Sequence, residues 1–387
     1  MQYLGKLFIL LFVFHSFSLC SQEEPENQPA KKRTYHVRVL LQEKNVRDKN
    51  DWQIGSDYGF TVINPTSKKK MAIEGRELHI AYKKKFFVIN DVVFDSQTLY
   101  ISPVQGNLKF DGKEYHGSLL VTKQAQTLYL INSLDLEEYV CSVLRTESWP
   151  GWPLEVNKAF AIASRSYVIG VVLNNKNSTL PYHVKNTNKH QTYSGVHTDP
   201  VLKEAVEQTR GIFLSHDGKP IVAMFDSCCG GVTPFDIHGV NFLHAPYLAR
   251  KTPCTFCKDC KMYNWSASYP LEQFEQLVKK EYKNLNKIKQ VSVAKTDKAG
   301  LVQQVNIKSQ HKAISLPGKK VYSMLAKVRS FCFDVCVKAD KVVFSGRGIG
   351  HHLGLCQWGA REMVRQGYTY KSVLNFYYPD TNFMRLQ

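Results

Sequence analysis

The first part of the chain alternates apolar and polar residues with the two-residue period of β-strands. Val37, Val39 and Leu41 show this period, and it returns at residues 86–94 and 98–101. Turn-forming dipeptides separate the apolar runs, and Asp111-Gly112 has the sequence of a tight hairpin turn. This stretch has no long helical pattern, so residues 35–131 are predicted to form a small β-rich domain.

The period changes to that of an α-helix after residue 133. Apolar residues then recur at spacings of three and four, at Leu136, Tyr139, Val140, Val143 and Leu144. The Trp-Pro-Gly-Trp-Pro segment at 149–153 cannot continue a helix, and Pro153 suits the first position of a second helix at about 154–173.

Shorter elements are predicted in the remainder of the chain. They are a loop at 174–198, a short helix at 200–210, a hairpin at 212–226, a helix at 270–283, strands at 288–294, 302–307 and 341–345, and helices ending near 366 and spanning 370–377. The predicted fold class is therefore α+β, with a small N-terminal β domain and a mixed α/β core at 132–387 that carries a groove.

Residues 1–20 have the order of an export signal. Lys6 precedes an apolar run at 7–14, and small residues before Ser21 offer a cleavage site. Cys20 as a lipid-attachment site is the alternative, but Phe17 and Leu19 fit such a signal poorly, so we favour cleavage. Residues 21–34 are polar and are predicted to be a flexible tether. We expect an exported protein of the periplasm or cell envelope, with membrane contact that is peripheral or made through an uncleaved signal.

The charge of the chain is strongly positive. Its 387 residues include 51 Lys and Arg against 33 Asp and Glu, a formal net charge of +18. For an exported protein this balance favours an acidic partner such as a wall polymer or a lipid surface. Nucleic acid is not expected as a partner, because the export signal argues against it and no nucleic-acid-binding motif is present.

Ten cysteines raise the choice between disulfides and a metal site. Cys254, Cys257 and Cys260 cluster at spacings of three, after a Cys228-Cys229 pair and before Cys332 and Cys336. Zinc would need four thiolates, with the fourth from Cys332 or Cys336. Disulfides from this cysteine-rich insert near 254–260 to residues 228, 229, 332 or 336 are favoured, because exported proteins form them readily. We therefore assign no metal and no cofactor.

Glu147 continues the apolar stripe of the first helix by one turn. Its side chain should turn inward, where burial raises a carboxyl pKa towards that of a general acid. The alternative is an ordinary helix-end glutamate with a basic partner. Lys158 and Arg165 are seven residues apart on the second helix and share one face, which predicts an anionic partner, either Glu147 or a charged substrate. The alternative for these two cations is a solvated stripe.

Glycines cluster near the end of the chain. Gly346, Gly348 and Gly350 follow a strand and precede a helix, but His351 stands where a dinucleotide fingerprint needs its third glycine, and too few residues follow for a nucleotide domain. These glycines instead let the backbone approach a groove into which His351 or Gln357 points.

Several motifs, in order along the chain, resemble the stage II sporulation protein D family. They are Tyr115-x-Gly117, Leu134-x-x-Glu137-x-Tyr139 with Val143 and Glu147, Trp152-Pro153-x-Glu155 with Lys158, Arg165 and Tyr167, Gln191-x-Tyr193-x-Gly195, Ser227-x-x-Gly230-Gly231-x-Thr233, Gly346-x-Gly348-x-Gly350-His351 with Gly354 and Gln357, and Gly367 to Pro379. The resemblance covers nearly all of the chain that follows the predicted export signal.

The resemblance implies a lytic transglycosylase acting on peptidoglycan, with residues 132–387 as its catalytic core and the groove as its substrate site. The family's catalytic glutamate corresponds to Glu147, and its associated basic residues correspond to Lys158 and Arg165. The motifs suggest further substrate contacts from Tyr193, Ser227, His351 and Gln357. Two features depart from the family: Ser148-Trp149-Pro150 follows the glutamate, and the 254–260 cysteines are not a general family feature.

One carboxylate suffices for such an enzyme. It protonates the glycosidic oxygen and then deprotonates the sugar's own 6-hydroxyl, whose attack leaves a 1,6-anhydro end. We expect glycan strands of peptidoglycan as the substrate. We also expect a preference for strands stripped of peptide, because Lys158 and Arg165 would bind the lactyl carboxylates that such strands expose. The alternatives are a non-catalytic glycan-binding module or activator, a scaffold for other cell-wall or division proteins, and a plain hydrolase, which would need a second carboxylate.

Overall fold

The computed structural model describes residues 35–48, 51–283, 285 and 287–386. The export signal and the tether that we predict for residues 1–34 lie outside the described residues. All of the described residues belong to one compact unit.

Twelve strands form the region in which the two-residue period was found. They are β1 (His36–Asn45), β2 (Trp52–Ser56), β3 (Phe60–Ile63), β4 (Lys70–Ile73), β5 (Glu77–Lys83), β6 (Phe86–Ile89), β7 (Val92–Phe94), β8 (Thr98–Pro103), β9 (Leu108–Phe110), β10 (Lys113–Tyr115), β11 (Ser118–Gln124) and β12 (Thr127–Asp135). Alternate residues of most of these strands face a shared apolar core, which explains the period in the sequence.

The strands make two antiparallel sheets that pack against each other. One sheet has the order β1-β12-β11-β8-β3-β4 and the other the order β10-β9-β2-β5-β6-β7. Ile54 from the second sheet and Ile101 from the first are fully buried in the same core. The predicted hairpin is confirmed, because Asp111 and Gly112 join β9 to β10 with φ angles of 49° and 69°.

The last strand of this region leads directly into the first helix. β12 ends at Asp135, so the boundary predicted after residue 131 falls inside the strand. The Asp135 carboxylate accepts a hydrogen bond from the Glu137 backbone N–H at 2.8 Å and caps helix α1 (Leu136–Glu147). The β region and the core are therefore continuous through one strand and one cap.

Helix α2 (Leu154–Asn174) lies at the centre of the core region. Around it are β13 (Val184–Lys185), α3 (Pro200–Gln208), β14 (Ile212–His216), β15 (Lys219–Pro220) and β16 (Phe225–Asp226). Strand β13 pairs in parallel with β1 and adds a seventh strand to the first sheet. Among the described residues α2 alone is long and apolar enough to cross a membrane, but 72% of its most apolar window is buried in the protein, as in a core helix.

A buried ion pair joins α1 to α2. Arg165 is fully buried, and its Nε lies 3.0 Å from Oε1 of Glu137 while its Nη2 lies 2.5 Å from Oε2. The same Arg165 donates to the carbonyl of Ile212 at 2.8 Å, and the Gly211 N–H donates to Glu137 at 3.0 Å. One ion pair thus connects two helices and the start of β14.

A third region has its own hydrophobic core. It follows two short 3-10 turns, Pro234–Asp236 and Pro246–Leu248, and contains β17 (Asn264–Pro270), α4 (Leu271–Lys279), β18 (Ile288–Thr296), β19 (Val302–Ser309), β20 (Ala313–Pro317), α5 (Gly318–Met324), β21 (Phe333–Lys338) and β22 (Lys341–Arg347). The sequence correctly predicts α4, β18, β19 and β22. The sequence does not indicate that these elements share a separate core. The third region therefore extends far beyond the cysteine-rich insert that was predicted near residues 254–260.

The chain returns to the central core at its end. Strand β23 (Leu355–Cys356) pairs in parallel with β16, helices α6 (Gln357–Arg365) and α7 (Tyr370–Tyr377) follow, and β24 (Asn382–Arg385) pairs with β14. The pairing of β16 with β23 brings two glycine-containing motifs together. The predicted α+β fold class is confirmed.

The buried ion pair makes a testable contribution to stability. We expect Arg165→Ala to lower the free energy of unfolding by about 3–5 kcal/mol, because it leaves the Glu137 carboxylate buried without its partner. Arg210→Ala is the matched control, since Arg210 pairs with Glu207 at the surface, and an exposed pair contributes roughly 1 kcal/mol or less. Chemical denaturation of both variants gives the comparison, and equal losses would contradict the role assigned to Arg165.

Candidate functional site

Four of the residues predicted from the sequence line one groove. Its volume is about 320 Å³, and Glu147, Ser227, His351 and Gln357 contribute to its wall. The other lining residues are Tyr167, Asn188, Lys189, His190, Met224, Phe225, Asp226, Ile349 and Gly350. The groove thus collects the end of α1 and three loops that are distant in sequence.

Glu147 is the last residue of α1 and is half-buried. The N–H of the next residue, Ser148, makes the last helical hydrogen bond, to the Leu144 carbonyl at 2.8 Å. The helix ends there because the Ser148 backbone itself is extended, with φ −101° and ψ 158°. The Glu147 carboxylate accepts the Thr192 backbone N–H at 3.4 Å and the Gln357 side-chain amide at 3.3 Å. The same amide also donates to the Glu147 carbonyl at 3.0 Å, so Gln357 holds the end of the helix as well as its acid.

The environment of Glu147 favours its protonated form. Burial raises the pKa of this carboxyl, and the hydrogen bonds from Thr192 and Gln357 lower it by less. The result is a carboxyl whose pKa lies above its ordinary value, in a polar groove. Such a group is better suited than an ordinary glutamate to donate a proton and to accept it again.

Tyr193 does not reach the groove, which corrects the expectation that it binds substrate. Its side chain is buried and stacked on Tyr139, and its hydroxyl donates to Asn132 at 2.5 Å. The neighbouring Gln191 accepts from the Tyr139 hydroxyl at 3.0 Å. These aromatic contacts anchor the loop whose Thr192 N–H faces Glu147, because they fix the residue on either side of it.

Asp226 is a second groove carboxylate, which the sequence reasoning missed. It accepts the backbone N–H groups of His351, at 2.8 Å, and of His352. A Cβ on Gly350, where φ is +124°, would lie 2.1 Å from the Asp226 carboxylate, so only glycine fits there. The one sequence signal for Asp226 is its place directly before the Ser227 motif. Of the three glycines in the 346–350 segment, Gly350 lines the groove, whereas Gly346 packs against Trp265.

Lys158 and Arg165 are not among the groove residues, which corrects the expectation that they meet Glu147 or bind a charged substrate. Lys158 Nζ is 2.7 Å from Glu155 Oε1, and that carboxylate also accepts the Tyr370 backbone N–H at 2.9 Å. Arg165 is paired with Glu137, as described above. Helical spacing predicted their shared face correctly, but each cation meets a different carboxylate because they are two turns apart. The lysine that lines the groove is Lys189.

The structure also contradicts the predicted disulfides. All nine described cysteines are free, and Cys332 and Cys336 lie outside the cluster near residue 254. Four buried cysteines, Cys229, Cys254, Cys257 and Cys356, instead bring their sulfur atoms within 4.8 Å of one another. Cys356 was missed because it belongs to β23, and only the pairing of that strand with β16 brings it to the other three.

Two family models match the sequence of this chain. The family model of the stage II sporulation protein (SpoIID) matches residues 124–216, which contain Glu147, and a domain of unknown function (DUF8618) matches residues 253–354, which contain the third region.

Three relatives extend this likeness over most of the chain. An uncharacterised protein of Brachyspira hyodysenteriae is 30% identical over 275 residues, 71% of this chain and 73% of that protein. Stage II sporulation protein D of Bacillus subtilis is 24% identical over 265 residues, 65% of this chain and 75% of its own length. The amidase enhancer of the same organism is 26% identical over 291 residues, 62% of this chain but only 39% of its own length. This chain belongs to the stage II sporulation protein D family.

The contact between Gln357 and Glu147 predicts how the site titrates. Gln357→Met removes a donor that favours the ionised acid, so we expect the pKa of Glu147 to rise further. A carboxyl whose pKa is higher in the folded state than in the unfolded state stabilises the fold most at pH values below its unfolded-state pKa. This stabilisation is lost as the pH rises through the folded-state pKa. The variant should therefore lose more stability than the wild type as the pH rises above the ordinary glutamate pKa of about 4.3.

Carbon-13 NMR of the Glu147 carboxyl and unfolding curves across this pH range measure the effect. Gln366→Met is the matched control, because Gln366 is an exposed residue at the other end of α6 whose amide bonds to Glu362. A Glu147 pKa that is unchanged in Gln357→Met would contradict the assigned contact.

Proposed function

We propose that this protein is a lytic transglycosylase that cleaves the bond between N-acetylmuramic acid and N-acetylglucosamine in peptidoglycan glycan strands. The observation that carries the proposal is the half-buried Glu147, whose pKa is raised by burial, in a groove lined by polar side chains. Membership of the stage II sporulation protein D family supports a role at the cell wall.

The reaction needs one residue that gives a proton and takes one back. Protonated Glu147 donates to the glycosidic oxygen as its bond to the muramic C1 breaks. The resulting carboxylate removes the proton from the 6-hydroxyl of the same muramic residue, and that oxygen bonds to C1. One bond breaks, one forms and the carboxyl recovers its proton, so the product has a 1,6-anhydro end and no water is consumed.

The other groove residues support this reaction more than plain hydrolysis. A hydrolase needs a second carboxylate that can activate water. Asp226 is the second carboxylate among the lining residues, and its two oxygens already accept the backbone N–H groups of His351 and His352. Ser227 and His351 are left to bind sugar hydroxyl or acetamido groups. We propose that Asp226 holds the backbone of His351 and His352 in place and does not activate water.

The setting we propose is the cell envelope. The net charge of +18 suits an acidic wall polymer, and the signal-like residues 1–20 suit export. Glycan strands are the proposed partner, together with other cell-wall or division proteins.

A non-catalytic role as an activator is the second candidate. One relative of this chain is named an amidase enhancer, although this chain spans only 39% of that relative. An activator would use the groove to hold glycan and would not need the acid to titrate near neutral pH.

Replacing the acid tests the proposal directly. We expect Glu147→Gln to lower glycan cleavage on the order of a hundredfold or more, because the amide cannot donate the proton, while glycan binding persists. Glu138→Gln is the matched control, since Glu138 is an exposed residue of the same helix. Purified glycan strands are incubated with each protein, and the mass of the new ends is measured.

The same measurement separates the two candidates. Anhydro ends from the wild type and the control, but not from Glu147→Gln, support the transglycosylase. New ends whose mass includes an added water molecule would show that the protein is a hydrolase instead. Uncut strands together with faster release of peptides by an added amidase would favour the activator.

A preference for stripped strands requires a cation in the groove, and Lys189 is the lysine among the lining residues. Stripped muramic residues expose a lactyl carboxylate, which an exposed lysine attracts. We expect Lys189→Ala to weaken binding of stripped strands more than binding of peptide-bearing strands, and more so at low salt. Lys176→Ala is the control, because Lys176 is exposed and is not among the groove residues. Equal losses for both substrates would contradict the selectivity but leave a general role in binding.

A further inference from the structure

We propose that Cys229, Cys254, Cys257 and Cys356 bind one structural zinc ion. All four side chains are buried, and their sulfur atoms lie within 4.8 Å of one another. They come from three separate segments: the loop after β16, the cysteine-rich loop before β17, and the end of β23. Such convergence of cysteines distant in sequence is typical of a metal centre.

The distances fit one tetrahedral ion. Zn–S bonds of about 2.3 Å place the four sulfurs of a tetrahedron about 3.8 Å apart. The Sγ atoms of Cys229 and Cys257 are 3.7 Å apart, and those of Cys254 and Cys257 are 3.9 Å apart. The site is closed by four protein ligands and buried, as structural zinc sites are, whereas a catalytic zinc keeps an open position.

Donor groups around the sulfurs provide a second, independent observation. The backbone N–H groups of Cys229 and Gly359 both point to Cys356 Sγ at 3.3 Å, and the Tyr377 hydroxyl lies 3.2 Å from Cys254 Sγ. Outer donors of this kind orient metal-bound thiolates and stabilise their charge. Gly359 leaves no room for a side chain, because a Cβ there would lie 2.9 Å from Cys254 Sγ.

A buried cation completes the electrostatic argument. Arg250 is 3% exposed, and its guanidinium lies 5.5 Å from the centre of the Tyr377 ring whose hydroxyl meets the cluster. Four thiolates around one divalent ion carry a net charge of −2. A nearby buried guanidinium offsets part of that charge, since charges in a protein interior are weakly screened.

The ion would hold two walls of the groove. Cys229 follows Ser227 by two residues, and Cys356 directly precedes Gln357, which contacts Glu147. The Trp358 N–H donates to the Ser227 carbonyl at 3.1 Å, so the two segments already touch. We infer that zinc fixes their relative position whatever reaction the groove performs, so this inference does not depend on the proposed function.

Metal content tests the inference on the full-length chain. The wild type should contain one zinc per chain by elemental and native mass spectrometry, and cobalt in its place should show the absorption bands of tetrahedral thiolate coordination. Cys257→Ser should lose most of the zinc. Cys336→Ser is the matched control, because Cys336 is a half-buried cysteine of β21 outside the cluster, and it should keep one zinc per chain.

Three outcomes would overturn the proposal. One is a wild type without metal whose four cysteines are free or joined in disulfides. Another is bound iron in place of zinc. The third is full zinc binding by Cys257→Ser. Because the stoichiometry and the cobalt spectrum are measured on the wild type, a variant that fails to fold does not hide the answer.

Discussion

The buried ion pair between Arg165 and Glu137 is the constraint on which the central architecture depends. It lies where α1 starts, and it joins that helix to α2 and to the backbone at residues 211 and 212. A buried pair gives little net stability compared with well-packed apolar residues, but removal of either partner is costly. We infer that its main effect is specificity. It fixes the direction of α1, and therefore the place to which the helix delivers Glu147, about 15 Å further along.

The groove is assembled from loops, and each loop is held by a different interaction. Aromatic stacking and two tyrosine hydroxyls hold the loop of Thr192. The Asp226 carboxylate holds the backbone after Gly350. Gln357 joins the start of α6 to the end of α1. Because these restraints are made between neighbouring loops, the polar groups around Glu147 are set before a substrate arrives.

The sequence predicts those features that depend on periodicity and on local turns. The alternation in residues 35–131, the stripe that leads to Glu147 and the Asp111-Gly112 hairpin all follow from rules that act over a few residues. The same rules place Lys158 and Arg165 on one face. Helical spacing is also compatible with the pair of Lys158 and Glu155, which lie three residues apart on one helix. It cannot identify the partner of Arg165, because Glu137 approaches from another helix.

The features that the sequence does not reveal depend on pairing between distant segments. Asp226 gains its role only when β16 meets β23 and the backbone after Gly350 turns towards it. The same pairing supplies Cys356 to the cysteine cluster, in place of the nearer candidates Cys332 and Cys336. The separate core of residues 265–344 is likewise a property of the packed strands, since no single segment in it differs in pattern from its neighbours.

The geometry around Glu147 suits the two proton transfers that we propose for it. A carboxylate held by several short hydrogen bonds stays ionised and cannot act as an acid. A carboxyl buried among apolar groups alone stays protonated and cannot act as a base. Glu147 lies between these limits, because burial raises its pKa while the two donors to its carboxylate, at 3.3 and 3.4 Å, offset only part of the rise. Burial and these two contacts together set the balance between acid and base, and both donors come from segments that the sequence places far from α1.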